Sequence, residues 1–355
     1  MSDTQNRDHH WTPPRSFDVE KAMPWIREYR RDAVRLHPRR ADRELARNAS
    51  KMGGMFLWPA EEPWPFCVEA DPISMPRPTR EDFRKSTEAL MAMESELGIP
   101  PRAAEDNEFA TRMFEGAAAA ARGITDQHNI AYSPILQLRR DEFPELPWPA
   151  GKDLFQLLWC PRVHFWGNSS YLGGQSSGAK IFWRTEESIH NFLTPWESNS
   201  HFHSLHECAV NPEDIFEYPQ ACYFDSAIEA WLEHAHTELK LAEDSKAGLS
   251  WWYSYDIATA PGTKLLGHPQ WIQNEETPMC RCNKPMKLLL TCASQEDPDN
   301  KAWNIAPCRE SIKTPGTLDQ SRNPFGFSWG DWSNAYVFYC DVGHPLEFRT
   351  VVQSS

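Results

Sequence analysis

Two stretches of the chain share a register, and that repeat limits the folds open to it. Residues 264–297 place Gly267, Pro269 and Trp271 in one turn, then a Cys280-x-Cys282 pair and a Pro285-Met286 elbow, ahead of an apolar run at 287–292. A weaker copy lies at 51–59, where setting Lys51 on Lys264 puts Gly54 on Gly267 and Trp58 on Trp271. Gly53 then faces Leu266, and Phe56 faces Pro269. At 355 residues the chain is long enough for two ordinary cores, so the repeat predicts two similar, intimately packed halves. A first half would span 17–245 with helical inserts and a second 246–355, after a flexible tail at 1–16.

The 29 prolines and 16 tryptophans favour short strands joined by stiff turns, because proline interrupts both ladders and helices. With 36 basic and 50 acidic residues the net charge is -14, which argues against nucleic acid and anionic membranes as partners. The basic stretch at 27–47 carries apolar residues at helical spacing and reads as a solvated helix face. No apolar run long enough to span a membrane is present, and the first ten residues lack an apolar leader core, so a cytoplasmic protein is expected. Nine cysteines are too sparse for a disulfide framework and are expected to be mostly buried thiols.

Ile26, Tyr29, Ala33 and Leu36, with Pro24 in the first turn, predict a helix over 24–37, followed by a short one over 40–49. Gly53-Gly54 suits a turn into a strand, and the loop lacks the Lys-Ser/Thr of a phosphate cradle. Helices are expected over 79–98 and 102–122. Strands are expected near 135, over 153–159 and 181–183, with Gln137 and Gln156 as hydrogen-bonding brackets between strands. Asp225 or Ser226 would cap a helix whose apolar face holds Ile228, Trp231, Ala235 and Leu239. Further strands are expected at 251–257, 287–292, 325–340 and 346–352, with a long loop over 296–324.

The string at 201–208 alternates so that His201 and His203 could share one face, with His206 or Cys208 as a third zinc ligand and Glu207 as a base. Histidines also alternate on exposed strands with no metal at all. A second candidate joins Cys280 and Cys282 to two of Cys292, Cys308 and Cys340 as a structural zinc site. No nucleophile elbow, P-loop, dinucleotide fingerprint or His-Glu-x-x-His string is present, so a zinc-dependent hydrolase or other small-molecule enzyme built on the 201–208 string is the alternative reading rather than the leading one.

Several short motifs together resemble the YwqG-like family, part of the TYPP group that also holds the C-terminal domain of the programmed cell death 2 proteins. They are 51–59, Leu136-Gln137-Leu138, the proline loop at 143–149, 151–158, 264–273, Leu288-Leu289-Leu290 and Trp329-Gly330-Asp331 before the aromatic strand at 336–339. The Cys280-x-Cys282 pair with Pro285-Met286 is closer to the eukaryotic branch, while Thr291 stands where a glutamine is common. The resemblance implies a duplicated, mostly antiparallel α+β fold. It also implies a non-catalytic module that binds a protein or peptide, chaperone-like or immunity-like. Trp58, Gln137, Gln156, Trp271, Gln273, Trp329 and Asp331 are then the candidate binding residues. An acidic chain rich in aromatic residues suits a basic client.

Overall fold

A computed structural model describes Thr12 and residues 18–67, 130–160, 178–193, 205–238, 253–296, 323–329, 333–342, 344 and 347–354. In chain order the strands are β1 (Arg31–Arg35), β2 (Arg39–Arg40), β3 (Lys51–Met52), β4 (Phe66–Cys67), β5 (Ile130–Ala131), β6 (Ser133–Arg139) and β7 (Leu154–Trp159). They continue as β8 (Ala179–Arg184), β9 (Cys208–Ala209), β10 (Glu213–Glu217), β11 (Lys264–Leu266), β12 (Lys287–Ala293), β13 (Asn334–Tyr339) and β14 (Phe348–Gln353). Helices α1 (Val19–Ala22) and α2 (Ser226–Glu238) lie outside the sheets. The fold is α+β, with two six-stranded sheets ordered β10-β1-β11-β12-β13-β14 and β2-β9-β3-β6-β7-β8. Every pairing within them is antiparallel.

The two sheets repeat each other residue by residue. Lys51 pairs with Gln137 and Met52 with Leu136, while Lys264 pairs with Thr291 and Leu265 with Leu290. Each second strand then carries a register shift at the same place, between Pro134 and Leu136 in one sheet and between Leu288 and Leu290 in the other. A bulge turns successive residues to one face, which is why the neighbours Ile135 and Leu136, and likewise Leu289 and Leu290, all enter one apolar cluster. Gln156 and Tyr336 occupy matching places on the third strands, opposite Gln137 and Thr291. Side chains of both hold the carbonyl of the residue before the repeated tryptophan: Gln156 Nε2 donates to Leu57 O at 2.8 Å, and Tyr336 OH donates to Gln270 O.

One continuous ribbon ties the sheets together. The segment β1–β2 runs antiparallel to β9–β10, with Arg35 opposite Glu213 in one sheet and Arg39 opposite Ala209 in the other. In the first sheet β1 is the inner strand of this ribbon, and in the second β9 is. Strands from both sides of residue 245 share the first sheet, since β1 pairs with β11 on one edge and with β10 on the other. The shared core contains Val34, Leu265, Leu290 and Val337 from one sheet with Met52, Leu136, Leu157 and Cys208 from the other. Tyr336, Phe338, Leu288 and Val351 leave the opposite face of their sheet and pack on Trp271 and Met286.

The helix expected over 24–37 is instead a 3-10 turn, Pro24–Tyr29, followed by β1. Ile26, Ala33 and Leu36 are buried as expected, but Ala33 is buried by strand pairing with Ile215 and Leu266. The short helix expected over 40–49 is replaced by β2 and bends, and the strand expected at 251–257 is a π-helical turn, Tyr253–Ala258. The helices expected at 79–98 and 102–122, and nearly all of the loop at 296–324, lie outside the described residues. A smaller compact unit, 64–132 with 160–164, contributes the β4–β5 ladder.

Candidate functional site

The repeated lysines, which open the register, are buried structural groups. Lys264 Nζ donates to Glu217 Oε1 at 2.8 Å and Oε2 at 2.7 Å, and both side chains are 0% exposed. His268 N and Ala260 N also donate to that carboxylate, at 2.5 and 2.8 Å. Burial pushes the Lys264 ammonium below its ordinary pKa, against the pull of Glu217. Lys51 Nζ donates to Glu207 Oε1 at 2.8 Å, and Leu45 N donates to Oε2 at 2.9 Å. Glu207, the base of the hydrolase reading, is thus held in a structural pair. Gly54 (φ +66°) and Gly267 (φ +71°) sit against these carboxylates, where an added Cβ would overlap Glu207 and Glu217.

Most candidate binding residues serve the chain itself. Gln137 Oε1 accepts from Leu57 N at 2.9 Å, and its Nε2 donates to Arg47 O and Ala49 O at 2.7 and 2.9 Å. Gln156 Nε2 also donates to Gln137 Oε1 at 2.9 Å. Trp58 is fully buried and Trp271 nearly so; Trp58 Nε1 donates to Glu62 O at 2.9 Å. Gln273 Nε2 donates to Ser354 O at 2.7 Å, at the surface. Trp329 is half-buried, packs edge-on against Trp159 at 5.9 Å, and leaves its indole Nε1 buried without a hydrogen-bond partner among the described residues. Asp331 lies outside the described residues.

The histidine string is only partly described, because His201 and His203 fall outside the described residues. His206 is exposed, whereas Cys208 is fully buried in the shared core. Burial, with Glu296 and Glu207 nearby, pushes the Cys208 thiol up to about 12. The two do not join a group of possible metal ligands among the described residues.

Such a group forms elsewhere, from Cys280, Cys282, Cys340 and His344, whose donor atoms all lie within 4.8 Å of one another. Two chain reversals build it. In the first, Cys280 N donates to Lys284 O at 2.9 Å, Asn283 N to Cys280 O at 2.8 Å, and Met286 N to Pro278 O at 2.9 Å. Asn283 supplies the left-handed residue (φ 58°) of this knuckle, a conformation asparagine tolerates better than most side chains. In the second, Cys340 N donates to Glu347 O at 3.2 Å and Glu347 N to His344 O at 2.8 Å. An Arg281–Glu347 ion pair at 2.9 Å joins the reversals beside the cluster.

The spacings suit a small tetrahedral ion. Cys282 Sγ lies 3.8 Å from Cys340 Sγ, and His344 Nδ1 lies 3.3 Å from Cys280 Sγ and 4.0 Å from Cys340 Sγ. Zinc bonds of about 2.3 Å to sulfur and about 2.0 Å to nitrogen separate two sulfurs by about 3.8 Å and sulfur from nitrogen by about 3.5 Å. Cys280, Cys282 and Cys340 belong to the set expected from the sequence, whereas Cys292 is a core thiol in β12. His344 was not expected. Its only sequence signal is the Cys-x-x-x-His spacing from Cys340, a ligand spacing that gains meaning beside the Cys-x-Cys pair.

A second surface is aromatic. Trp25, Tyr29 and Tyr223 are exposed around half-buried Phe224, with edge-on contacts of 5.5 Å between Trp25 and Phe224 and 5.0 Å between Tyr29 and Phe224. Tyr223 lies 6.1 Å from Tyr29 and 6.2 Å from His268. Exposed Trp231 and Tyr255 come from α2 and the Tyr253–Ala258 turn, whose neighbours Leu232, Tyr253 and Ile257 fill the small core beneath. No helix among the described residues is long and apolar enough to cross a membrane. Neither a family model nor a curated protein matches the chain.

Proposed function

We propose that the protein is a non-catalytic module that binds a basic protein or peptide, in the manner of a chaperone or an immunity protein, through the face around Trp25, Tyr29 and Tyr223. The observation that carries this reading is an exposed aromatic cluster beside an acidic helix. Three large rings left in solvent and braced edge-on by a fourth supply rigid contact area at little entropic cost. Residues 224–238 contain Asp225, Glu229, Glu233 and Glu238 and no lysine or arginine. With a net charge of -14, the complementary partner is cationic. The resemblance to the YwqG-like family supports the same class of function.

The metal bound at Cys280, Cys282, Cys340 and His344 is zinc on this reading. Three thiolates and an imidazole are a zinc donor set, and four protein ligands close the coordination sphere as in a structural site. Its work is to pin the two reversals together.

Titration of a lysine- and arginine-rich peptide, against a glutamate-rich one of equal length, tests the binding reading. The basic peptide is expected to bind, with affinity falling as salt rises above about 0.1 M, where the screening length is about 10 Å. Replacing Trp25 and Tyr223 together by alanine should weaken it about tenfold or more. Equal binding of both peptides, or no loss in the double variant, would overturn the proposal.

A further inference from the structure

We propose that a cavity of about 590 Å³ beside β6, distinct from the aromatic face, is a binding site for a zwitterionic amino acid or short peptide. Arg47 would take the carboxylate, and Glu187 the ammonium. The cavity lies between the turn that precedes β3 and the turn that follows β8, and Arg47, Arg139, Asp153, Glu186, Glu187 and Phe192 are among the residues lining it.

The charged groups divide into those already engaged and those left over. Arg139 donates from Nε and Nη2 to the two oxygens of Asp141, each at 3.0 Å. Asp153 Oδ1 accepts from Glu186 N at 2.7 Å, and Glu186 Oε1 accepts from Asn48 Nδ2 at 2.7 Å. Arg47 differs. Its Nη1 donates to Leu193 O at 2.9 Å and its guanidinium lies 4.9 Å from the Phe192 ring centroid, yet no carboxylate among the described residues pairs with it. Its carbonyl is held by the buried amide of Gln137 at 2.7 Å. Backbone and Nη1 are therefore held, with the guanidinium over the Phe192 ring, which leaves Nε and Nη2 without a partner among the described residues. A pre-organised guanidinium fork matches a planar carboxylate.

Charge and size narrow the ligand. Two guanidinium groups face three carboxylates across the lining, a balance that disfavours a doubly charged phosphate and favours a ligand carrying both signs. Glu187, exposed at the rim, is the carboxylate with no partner among the described residues. Phe192, 46% exposed, and Ile189 offer apolar contact for a side chain. The volume lies in the range of small-molecule sites, about 300–1,000 Å³.

Calorimetric titration of the intact protein with the dipeptide leucyl-phenylalanine, its N-acetylated form, its C-amidated form and inorganic phosphate tests this. The free dipeptide is expected to bind, either cap should weaken binding at least about tenfold, and phosphate should not displace it. Arg47→Met should abolish the preference for a free carboxylate, and Glu187→Gln the preference for a free amine. Both variants should keep the wild-type melting temperature. Glu187, at the surface, carries the test if the Arg47 variant misfolds. Equal binding of capped and free peptides, no binding of the free dipeptide, or unchanged preferences in Glu187→Gln would each overturn the proposal. The basic peptide should still bind at the aromatic face of the Glu187 variant, so failure here is separable from failure there.

Discussion

Lys264 carries its ammonium where no solvent reaches, 0% exposed and paired with an equally buried Glu217. Removing one member of such a pair strands the other charge in a medium that cannot solvate it. Lys264→Met is therefore expected to cost about 3–5 kcal/mol in urea unfolding. Lys51→Met should cost less, because Glu207 remains 16% exposed to water. Gly267→Val combines a strained positive φ with displacement of Glu217 from its three donors, and should cost more than about 1 kcal/mol. A wild-type denaturation curve would remove that claim.

Two histidines set the acid limit. Burial, with Arg35 nearby, holds His37 down at about 4, and burial with Arg31 nearby holds His268 at about 3, both below the ordinary 6.5. The unfolded chain thus takes up protons first, so their stabilisation is complete above pH 6.5 and is lost as pH falls towards 4 and 3. Glu213, held at about 2 by hydrogen bonds from His37 and Thr12 despite its burial, adds a loss below pH 4.5. Melting temperature should be flat from pH 8 to about 7 and decline below about 6.5. His37→Asn should reduce that slope, and an unchanged slope would sink the assignment.

Among the elements, the knuckle at 278–286 and the reversal at 340–347 bring together the four side chains of the proposed zinc site. Purified under reducing conditions, the protein is expected to hold one zinc per chain, measured by mass spectrometry of the metal. Cys340→Ser and His344→Ala should lose it and lower the melting temperature, while Cys292→Ala should retain zinc and lose only core packing. Zinc retained in His344→Ala would place the site elsewhere. Helix α2 starts where Asp225 Oδ1 accepts from Ala227 N and Ile228 N at 3.0 and 3.1 Å. Asp225, rather than Ser226, is therefore the cap, and Asp225→Ala should cost about 1 kcal/mol.

On the scale of the whole molecule, the ribbon β1–β2 with β9–β10 and the common apolar cluster give the sheets no independent interior. Denaturation should follow one transition for both sheets, with tryptophan fluorescence and far-ultraviolet dichroism coinciding. Separated transitions would mean that the halves fold as independent beads. The symmetry of the halves extends to contacts whose residues do not correspond. Glu207 reaches its glycine from the residue just before the inner strand of the ribbon, whereas Glu217 comes from the end of the outer strand, beside Ala33. The buried lysine, the carboxylate and the left-handed glycine are kept together, while the strand that delivers the carboxylate is not.

The sequence by itself determined what depends on neighbours along the chain. Strands β6, β7, β12, β13 and β14 announce themselves by apolar runs, α2 by its cap and spacing, and the duplicated Lys-x-x-Gly-x-x-x-Trp register by direct comparison. The left-handed glycines follow from that register, because a bare Cα is what such a turn tolerates. Only the tertiary structure decided that Ile26 belongs to a 3-10 turn, Ala33 to a strand and Leu36 to the link just after it: their three- and four-residue spacing fits a helix face, but Ala33 lies between two strands more than 180 residues away in sequence. It also decided which cysteines meet, since Cys280 and Cys340 lie 60 positions apart and nothing local separates a ligand from a core thiol such as Cys292. His344 met the three cysteines, and Glu217 became the partner of Lys264, for the same physical reason. Donor geometry and charge burial are properties of a point in space, and the chain reaches that point from several directions at once.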